Sequence, residues 1–242
     1  MKSLTNTHSN LVIFCDFDGT IARKDIGDEM FQHFGVFDLF IPKLMAGEMS
    51  VREYYQSAIA TAKDFTPETI AQFSSNFEID AYFPQFYNFC TEKNIPLTIL
   101  SDGFKEYINP MLEAAGIKGA NVRSNFLSIQ NSEVLPIFPT ASESCNCFCA
   151  SCKRNSMLSS SPSDSVFIYI GDGLSDTCAA SHADIIFAKN TLAAFCNERR
   201  LPHYPFRTFF DILRIMEKIV VSPTAKVRRQ AELLRKKSIE IE

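Results

Sequence analysis

The chain has 242 residues, of which 46% are hydrophobic and 21% are charged, and its formal net charge is -4. This length allows one full α/β domain with a smaller inserted domain, and the composition is that of a globular protein. A nucleic-acid-binding protein neutralises phosphates with clustered Lys and Arg, so the net charge and the lack of a long basic face exclude nucleic acid as the main partner.

The N-terminal segment bears on where the protein works. Residues Met1 to Asn10 are polar, and the apolar run that follows, Leu11 to Cys15, is too short for the core of a signal peptide. No stretch approaches the roughly 20 apolar residues that span a bilayer. We therefore expect a cytoplasmic protein without a membrane partner, whose eight cysteines are thiols or metal ligands rather than a disulfide framework. The sequence does not indicate the oligomeric state.

Four short apolar runs predict the buried strands of a parallel sheet. Each run is bounded by Gly, Asp, Asn or Pro, and stretches of helical periodicity such as 104–115 and 191–199 lie between them. Strands that alternate with helices predict βαβ units, so we expect a doubly wound, Rossmann-like parallel sheet. The predicted strands are Leu11 to Cys15, Pro96 to Leu100, Val166 to Ile170 and Ile185 to Ala188.

The interval 23–94 interrupts this alternation. Apolar residues recur at helical spacing between Ile26 and Met45, and helical patterns continue over 51–62 and 67–77. We expect a helical cap domain here, inserted after the first strand into a core domain made of residues 1–22 and 95–242. Ligands of open α/β sheets bind at the carboxyl ends of the strands, so the insertion would cover the site as a lid.

The region after the second predicted crossover departs from plain alternation. Residues 122–127 and 133–138 alternate in polarity and predict a β-hairpin, and a Cys- and Ser-rich loop follows over 140–163. The last two helices are predicted over 206–221 and 224–240. The second of these is basic, and we interpret it as a solvated helix face rather than as a surface for acidic lipid or RNA.

The first predicted strand runs directly into Asp16-Phe17-Asp18-Gly19-Thr20. Residues two apart in an extended chain face the same way, so Asp16 and Asp18 are expected to project into one site. Gly19 lets the backbone turn and brings N–H groups near a phosphate. Taken alone, an Asp-x-Asp tripeptide is common and is better explained by a structural turn.

Three further segments place polar groups near the same edge. Ser101-Asp102-Gly103 follows the second strand, and its hydroxyl and glycine N–H suit an anion site or a plain helix N-cap. Gly171-Asp172-Gly173-Leu174-Ser175-Asp176 follows the third strand and adds two carboxylates. Lys153 opens the helix before that strand, where a single lysine is usually solvated. Three strands that deliver acids and a hydroxyl to one edge are nevertheless poorly explained by unrelated turns.

These segments, in this order, resemble the four motifs of the haloacid dehalogenase superfamily, and the resemblance spans nearly the whole chain. It implies a Mg²⁺-dependent phosphatase that hydrolyses a small phosphorylated metabolite through a phosphoaspartate on Asp16, with Asp18 as acid and then base. The other implied roles are Mg²⁺ ligation by Asp16, Asp172 and the backbone carbonyl of Asp18, phosphate contacts by Gly19, Ser101, Asp102, Gly103 and Lys153, and support of the ligands or of Lys153 by Asp176.

The helical insertion and the Gly-Asp-Gly motif resemble the phosphoserine phosphatase group within that superfamily. The resemblance implies a substrate contact by Asp25. We expect the helical insertion to set specificity, with Glu29 and Arg52 as further candidate contacts, although both are also explained as solvated helix residues. Gln56, rather than an arginine, falls near the position at which that group binds a carboxylate. Phosphoserine is therefore an alternative substrate and not the first one.

The loop that ends in Cys152-Lys153 resembles a branch of the superfamily near the methionine-salvage enzyme that acts on 2-hydroxy-3-keto-5-methylthiopentenyl-1-phosphate. We expect a substrate of that kind first, with phosphocholine and thiamine phosphate as further alternatives beside phosphoserine. A phosphomutase and a non-catalytic phosphate- or metal-binding module are the alternatives from other functional classes.

Four cysteines, Cys145, Cys147, Cys149 and Cys152, stand within eight residues just before Lys153. Zinc binds four such soft ligands, but this spacing is tighter than the usual paired Cys-x2-Cys pattern. A structural zinc site, unpaired thiols, and a disulfide or redox switch are the three interpretations. A clamped loop would hold Lys153 at the phosphate.

Overall fold

A computed structural model describes residues 10–131, 133–142, 147–160, 162, 165–221 and 227–241. In this part of the chain one sheet contains β1 (Leu11–Cys15), β2 (Leu97–Phe104), β3 (Asn121–Gln130), β4 (Glu133–Ile137), β5 (Val166–Gly171), β6 (Ile185–Ala188) and β7 (Tyr204–Pro205). The strand order is β4-β3-β2-β1-β5-β6-β7. Neighbouring strands are parallel except β3 and β4, whose antiparallel pairing confirms the predicted hairpin. The sheet is the doubly wound, Rossmann-like one expected from the sequence.

The helices of the described residues are α1 (Ile26–His33), α2 (Phe37–Met45), α3 (Val51–Thr61), α4 (Pro67–Ser74), α5 (Phe83–Glu92), α6 (Lys105–Ala114), α7 (Lys153–Ser160), α8 (Thr177–Ser181), α9 (Asn190–Glu198), α10 (Phe209–Val221) and α11 (Arg229–Ile241). A short 3-10 helix covers Leu174–Asp176. None of the described helices is long and apolar enough to cross a membrane.

Both faces of the sheet are covered, and the central strand shows why its sequence is apolar without interruption. Leu11, Ile13 and Cys15 belong to the hydrophobic core on one face, whereas Val12 and Phe14 belong to the core on the other. Side chains alternate between the faces of a strand. A strand buried on both faces therefore has no polar position, which is why β1 reads as a continuous apolar run.

Helices α1 to α5 lie between β1 and β2, within the interval for which the sequence predicts a cap domain. The apolar pattern from Ile26 to Met45 forms α1 and α2, which are separated at Gly35, a residue with a left-handed φ of 71°. Helix α5 packs against α10, and the ring of Phe83 lies 4.8 Å from that of Phe209. The domain boundary at residue 94 stays a prediction.

The second strand is longer than the sequence indicates. It extends to Phe104 rather than ending at Leu100, because a register shift after Leu100 lets Phe104 pair with Asn125 of β3. Helix α6 begins only at Lys105. Ser101 and its two successors therefore lie in an irregular strand end and not at the N-terminus of a helix.

The predicted solvated basic face of the last helix agrees with the exposed Arg229, Lys236 and Lys237, but it is wrong for Arg235. Arg235 is 5% exposed, and its guanidinium donates to the His182 carbonyl at 2.7 Å and lies 3.2 Å from the Asp184 carboxylate. Arg228, just before α11, donates to the carbonyl of Ala183 at 2.8 Å. These contacts hold α11 against the connection between α8 and β6. Charge patterning alone did not reveal them because backbone carbonyls are among the partners.

Candidate active site

Four segments converge at the carboxyl edge of the sheet. Asp16 and Asp18 follow β1, which lies between β2 and β5, the kind of position at which connections leave toward both sides of an open sheet and ligands bind. Ser101 lies in the last part of β2, Asp172 follows β5, and Lys153 is the first residue of α7. Asp16, Asp18 and Asp172 line a cavity of about 770 Å³. The predicted motif residues are thus neighbours in the folded chain.

A buried lysine connects two of the carboxylates. Lys153 Nζ lies 2.5 Å from Asp16 Oδ1 and 2.6 Å from Asp176 Oδ1, and it also donates to Ser175 Oγ at 3.0 Å. Burial lowers the pKa of Lys153, but the charges of Asp16 and Asp176 outweigh burial and raise it well above its usual range. The ammonium group therefore stays charged inside the protein, as a buried ion with close partners can.

Asp176 uses both carboxylate oxygens for contacts within the protein. Oδ1 accepts hydrogen bonds from Lys153 and, at 2.6 Å, from the Tyr169 hydroxyl. Oδ2 accepts the backbone N–H groups of Asp172 and Gly173, each at 2.9 Å. These four bonds occupy the usual acceptor capacity of a carboxylate. Asp176 therefore holds Lys153 and the backbone at Asp172 and Gly173 in place. Its predicted support of the metal ligands or of Lys153 stays a prediction.

In the described part of the chain, three carboxylates form the one group of side chains that could bind a metal ion together. Oxygens of Asp16, Asp172 and Asp176 lie within 4.8 Å of one another. Lys153 alone cannot balance three carboxylates, and burial together with the Asp176 charge raises the pKa of Asp16 well above its usual range. A divalent cation removes such a surplus of negative charge, and oxygen ligands suit Mg²⁺.

Asp172 is half-buried, and burial together with the charge of Asp176 raises the pKa of its carboxyl group. Thr20 Oγ1 and Asn190 Nδ2 donate to its two oxygens, each at 3.1 Å, and both donors are neutral. Gly19 faces this carboxylate with a left-handed φ of 68°, and a Cβ at that position would lie 2.6 Å from Asp172 Oδ2. The space beside Asp172 depends on a glycine there, so the residues present fit a Mg²⁺ ion held by Asp16 and Asp172.

Asp18 has a different environment from Asp16. Its Oδ2 accepts hydrogen bonds from Tyr107 at 2.7 Å and from Ser101 at 3.1 Å, and its Oδ1 accepts the Ile26 N–H at 3.1 Å. Burial and the charge of Asp25 raise the pKa of Asp18, the hydrogen bonds lower it, and the result is about 7. A carboxyl group with that pKa can both give and take a proton near neutral pH.

Tyr107 was missed by the sequence analysis. It lies on the buried face of α6, where an aromatic residue at helical spacing indicates core packing. The hydroxyl reaches Asp18 because Gly103 has no side chain, since a Cβ there would overlap the Tyr107 hydroxyl. Ser101 Oγ in turn accepts the Gly103 N–H at 2.9 Å. The only sequence signal for this network is the glycine that follows Ser101 and Asp102.

Asp102 lines the cavity, where its predicted phosphate contact stays a prediction, and it also holds a loop. Its carboxylate accepts the backbone N–H groups of Ala150, at 2.8 Å, and Ser151, at 2.5 Å. Asn125 braces the same corner, because it donates to the Asp102 carbonyl at 2.6 Å and accepts from Ser151 Oγ. Burial raises the pKa of Asp102 to about 6. The side chain thus holds the loop that leads into Lys153.

The three predicted substrate contacts fall in different places. Asp25 lines the cavity, and its carboxylate also caps α1 by accepting the Asp28 N–H at 2.9 Å. Glu29 pairs with Lys24 at 2.6 Å and is not part of the cavity wall. Arg52 lines a separate cleft of about 450 Å³. Of the three, Asp25 alone lies at the site, where Asp28, Tyr54 and Tyr55 accompany it.

The cysteine cluster is described only in part, because Cys145 lies outside the described residues. Cys147 and Cys149 are half-buried, Cys152 is buried, and all three line the cleft that contains Arg52. Among the described residues, the one group of side chains whose ligand atoms lie close enough together to hold a metal ion is Asp16, Asp172 and Asp176, and it does not include these three cysteines. Structural zinc therefore stays a prediction from the sequence.

This architecture defines a class of protein. A doubly wound sheet carries an aspartate pair after its central strand, a serine on the next strand, a buried lysine, and an acidic group after β5. The combination is that of a haloacid dehalogenase-type phosphatase, a phosphoric monoester hydrolase.

The comparisons with known proteins agree with this class. The chain belongs to the phosphatase family described as "Putative Phosphatase", which matches residues 11–194. It is 29% identical over 215 residues to a protein of Geobacillus thermodenitrificans (strain NG80-2) named 2-hydroxy-3-keto-5-methylthiopentenyl-1-phosphate phosphatase, a match that covers 87% of this chain and 97% of that protein. A similar match of 28% identity over 217 residues is found with a protein of the same name from Brevibacillus brevis, covering 86% of this chain and 96% of that one.

Solved structures share the fold. A phosphoserine phosphatase described as a phospho-aspartyl intermediate analogue superposes with a TM-score of 0.63 at 15% identity, covering 86% of this chain and 99% of that one. A haloacid dehalogenase family hydrolase from Salmonella enterica serovar Typhi gives a TM-score of 0.66 at 14% identity, covering 89% of this chain and 72% of that one.

Proposed function

We propose that this phosphatase hydrolyses a small phosphate monoester with Asp16 as the nucleophile and Asp18 as the acid and base. One observation carries the proposal, namely that the two aspartates that follow β1 have different surroundings. Asp16 lies against the Lys153 ammonium group at 2.5 Å, whereas among the described residues Asp18 accepts hydrogen bonds from the neutral hydroxyls of Tyr107 and Ser101 and has a pKa of about 7. Such a difference separates a nucleophile from a proton donor.

In the first step the Asp16 carboxylate attacks phosphorus in line, and the ester P–O bond breaks. Protonated Asp18 gives its proton to the departing alkoxide, so the alcohol leaves neutral. On this proposal Lys153, which contacts Asp16, and Ser101, which contacts Asp18, would exchange part of these contacts for phosphoryl oxygens when the ester binds. A Mg²⁺ ion held by Asp16, Asp172 and the Asp18 carbonyl would supply neutralisation of the charge between the phosphate dianion and the carboxylates.

In the second step ionised Asp18 takes a proton from a water molecule, which attacks the phosphorus of the phosphoaspartate. The bond to Asp16 breaks, inorganic phosphate leaves, and both aspartates return to their starting states. Tyr107 and Ser101 stabilise the ionised form of Asp18 through their hydrogen bonds. Release of free phosphate distinguishes this course from that of a phosphomutase.

We further propose that the substrate resembles the compound after which the bacterial relatives are named. Support comes from the wall of the cavity, to which helices α2 and α3 contribute Ile41, Leu44, Met45 and Val51. Apolar side chains of this kind suit a thioether tail better than a second charged group. On this proposal the helices after β1 form the predicted cap over the sheet edge. Phosphoserine, phosphocholine and thiamine phosphate are the alternatives.

The test is phosphate release by the purified chain with Mg²⁺ from a panel of phosphorylated metabolites and from p-nitrophenyl phosphate. The Asp16→Asn variant should lose more than about a thousandfold of the activity, given how slow the uncatalysed reaction is, and should keep the wild-type circular dichroism spectrum. Asp18→Asn should accumulate phosphorylated protein detectable by intact mass. An Asp16→Asn variant with near wild-type turnover, or a rearranged ester in place of phosphate, would refute the proposal.

A further inference from the structure

Helices α1 and α3 contribute polar groups to the cavity wall that the two chemical steps do not use. Asp25 and Asp28 come from the first turn of α1, and Tyr54 comes from α3. Asp25 already serves as the N-cap of α1. The other two side chains have no comparable structural duty.

The Tyr54 hydroxyl is enclosed but unpaired. The residue is 2% exposed, and its hydroxyl has no hydrogen-bond partner among the described residues although Tyr54 lines the cavity. The ring itself is well packed, 5.4 Å from Phe31 and 5.6 Å from Tyr55. A buried hydroxyl without a partner costs free energy, and a phenylalanine would pack equally well. The unsatisfied group therefore points to a ligand that completes it.

The Asp28 side chain is a second polar group of the same cavity wall that lacks a partner among the described residues. Within the described part of the chain its carboxylate makes no hydrogen bond or ion pair, whereas its own N–H is held by Asp25. Asp28 and Tyr54 line the same cavity, and the negative charge of Asp28 contributes, after burial, to raising the pKa of Tyr54. The nearby cation Lys24 is engaged by Glu29 at 2.6 Å. Asp28 therefore offers two free acceptor oxygens beside a hydroxyl that can donate or accept.

We propose that Asp28 and Tyr54 form a subsite for the leaving alcohol, which carries a hydrogen-bond donor close to the phosphate ester. The donor, a hydroxyl or an ammonium group, would bond to the Asp28 carboxylate, and Tyr54 would bond to the same group or to a neighbouring oxygen. This inference rests on the proposed function, because the subsite is defined relative to an ester held at Asp16. A carboxylate on the same carbon is disfavoured, since Asp25 and Asp28 would repel it.

The test uses four esters of one length: ethyl phosphate, 2-hydroxyethyl phosphate, phosphoethanolamine and phosphoglycolate. For the wild type we expect kcat/KM for at least one of the two donor-bearing esters to exceed that for ethyl phosphate by tenfold or more, and phosphoglycolate to be the poorest. Tyr54→Phe and Asp28→Leu should remove most of this preference, measured in each variant as the ratio of kcat/KM for the donor-bearing ester to that for ethyl phosphate. Tyr87→Phe and Asp38→Asn are matched controls that should keep the preference, because neither residue lines the cavity.

Asp28→Asn separates the two donors. Asparagine keeps an acceptor oxygen but loses the charge, so a preference for the hydroxyl should fall only a few-fold, whereas a preference for the ammonium group should vanish. Tyr54→Phe should melt at the wild-type temperature or above, because it removes an unsatisfied buried group. A lower melting temperature, or equal kcat/KM for all four esters, would overturn the subsite. Failure to hydrolyse any ester, p-nitrophenyl phosphate included, would instead refute the proposed function.

Discussion

The Tyr107 hydroxyl donates a 2.7 Å hydrogen bond to Asp18 Oδ2, the same oxygen that Ser101 reaches at 3.1 Å. Two donors on one oxygen favour the ionised carboxylate, whereas burial and the Asp25 charge favour the protonated form. The balance near pH 7 therefore depends on a tyrosine that contributes no group to the reaction itself. Its position is that of a residue that tunes the acid and base on the proposed mechanism.

Removing that donor should shift the pH dependence in a defined direction. Tyr107→Phe keeps the shape of the buried ring but deletes a bond that lowers the pKa of Asp18, so this pKa should rise above 7 by about one unit, the equivalent of one hydrogen bond to a charged group. Protonated Asp18 then persists to higher pH, and the alkaline fall of kcat/KM for an alkyl phosphate should move upward. Ionised Asp18 becomes scarcer, so kcat at pH 6 should fall where breakdown of the phosphoaspartate limits turnover.

The measurement is a pair of pH profiles for wild type and Tyr107→Phe with one alkyl and one aryl phosphate. The aryl ester has a good leaving group and needs little protonation, so its kcat/KM should respond less than that of the alkyl ester. Profiles that coincide for both esters would show that Tyr107 does not control the proton on Asp18.

A second prediction concerns Gly19 and the carboxylate of Asp172. Gly19→Ala places a Cβ 2.6 Å from Asp172 Oδ2 and forces alanine into a left-handed φ of 68°. Displacing Asp172 should raise the Mg²⁺ concentration needed for half-maximal activity by tenfold or more. The backbone strain alone is expected to cost about 1 kcal/mol.

Gly35→Ala provides the matched control for Gly19→Ala. Gly35 has a similar φ of 71°, but a Cβ there meets nothing within 4 Å. This variant should lose a similar amount of unfolding free energy and keep the wild-type Mg²⁺ dependence. If Gly19→Ala reaches half-maximal activity at the same Mg²⁺ concentration as the wild type, the space beside Asp172 is not needed for Mg²⁺ binding.

The site residues that directly follow apolar strands could be predicted from the strand pattern, whereas Lys153, which opens α7, was predicted only through the resemblance. Asp16, Asp18 and Asp172 stand at the ends of β1 and β5, and the strand alternation alone places them at one edge. Tyr107 and Tyr54 could not be found this way, because on a helix an aromatic residue at an apolar position indicates core packing. Their polar function depends on which group the hydroxyl meets, and sequence spacing does not contain that information.

Contacts across long sequence separations were also beyond the sequence analysis. Asp102 meets the N–H groups of Ala150 and Ser151, about 50 residues away in a loop without regular secondary structure. Arg235 likewise contacts the His182 carbonyl and the Asp184 carboxylate, about 50 residues away. A charged side chain whose partners include backbone atoms has no oppositely charged residue at a recognisable spacing in the sequence. The sequence therefore predicted a phosphate contact for Asp102 and a solvated position for Arg235.

The buried arginine of α11 leads to a prediction about stability. Arg235→Ala removes the partner of the buried Asp184 carboxylate and a cation stacked 4.6 Å from the Phe167 ring. Breaking a buried pair by removing one partner costs roughly 3–5 kcal/mol, so the denaturant midpoint should fall clearly. Lys236→Ala is the control, because its pair with Glu232 is exposed and is expected to contribute about 0.5 kcal/mol or less.

Turnover per folded molecule should be unchanged in both of these α11 variants, because neither residue lines the cavity. Chemical unfolding followed by circular dichroism, with kcat measured well below the transition, separates the two effects. A loss of kcat in fully folded Arg235→Ala would show that α11 influences the site.

The last prediction concerns the bond between Asp102 and the loop before Lys153. Asparagine at position 102 offers one acceptor oxygen where the carboxylate binds the N–H groups of Ala150 and Ser151 with both. The loop should therefore hold Lys153 less firmly, and a misplacement of about 1 Å in a group that contacts the reacting atoms can lower the rate by about a hundredfold. We expect kcat of Asp102→Asn to fall by roughly tenfold to a hundredfold, with a smaller change in KM.

The unfolding free energy of Asp102→Asn relative to the wild type should increase with pH although the activity of the variant is low. This difference distinguishes a positioning role of Asp102 from a merely structural one. Burial raises the pKa of Asp102 from 3.8 to about 6, so the folded state holds a proton that the unfolded state has already lost between these values. Unfolding free energy therefore decreases through this group as pH rises from about 4 to 6, and the decrease is complete above that range. Asp102→Asn lacks this titration, so its stability relative to the wild type should improve from pH 4 to pH 7 while its activity stays low. Urea unfolding at the two pH values, beside the exposed control Asp38→Asn, measures the difference, and a variant as active as the wild type would show that the loop is held by other contacts.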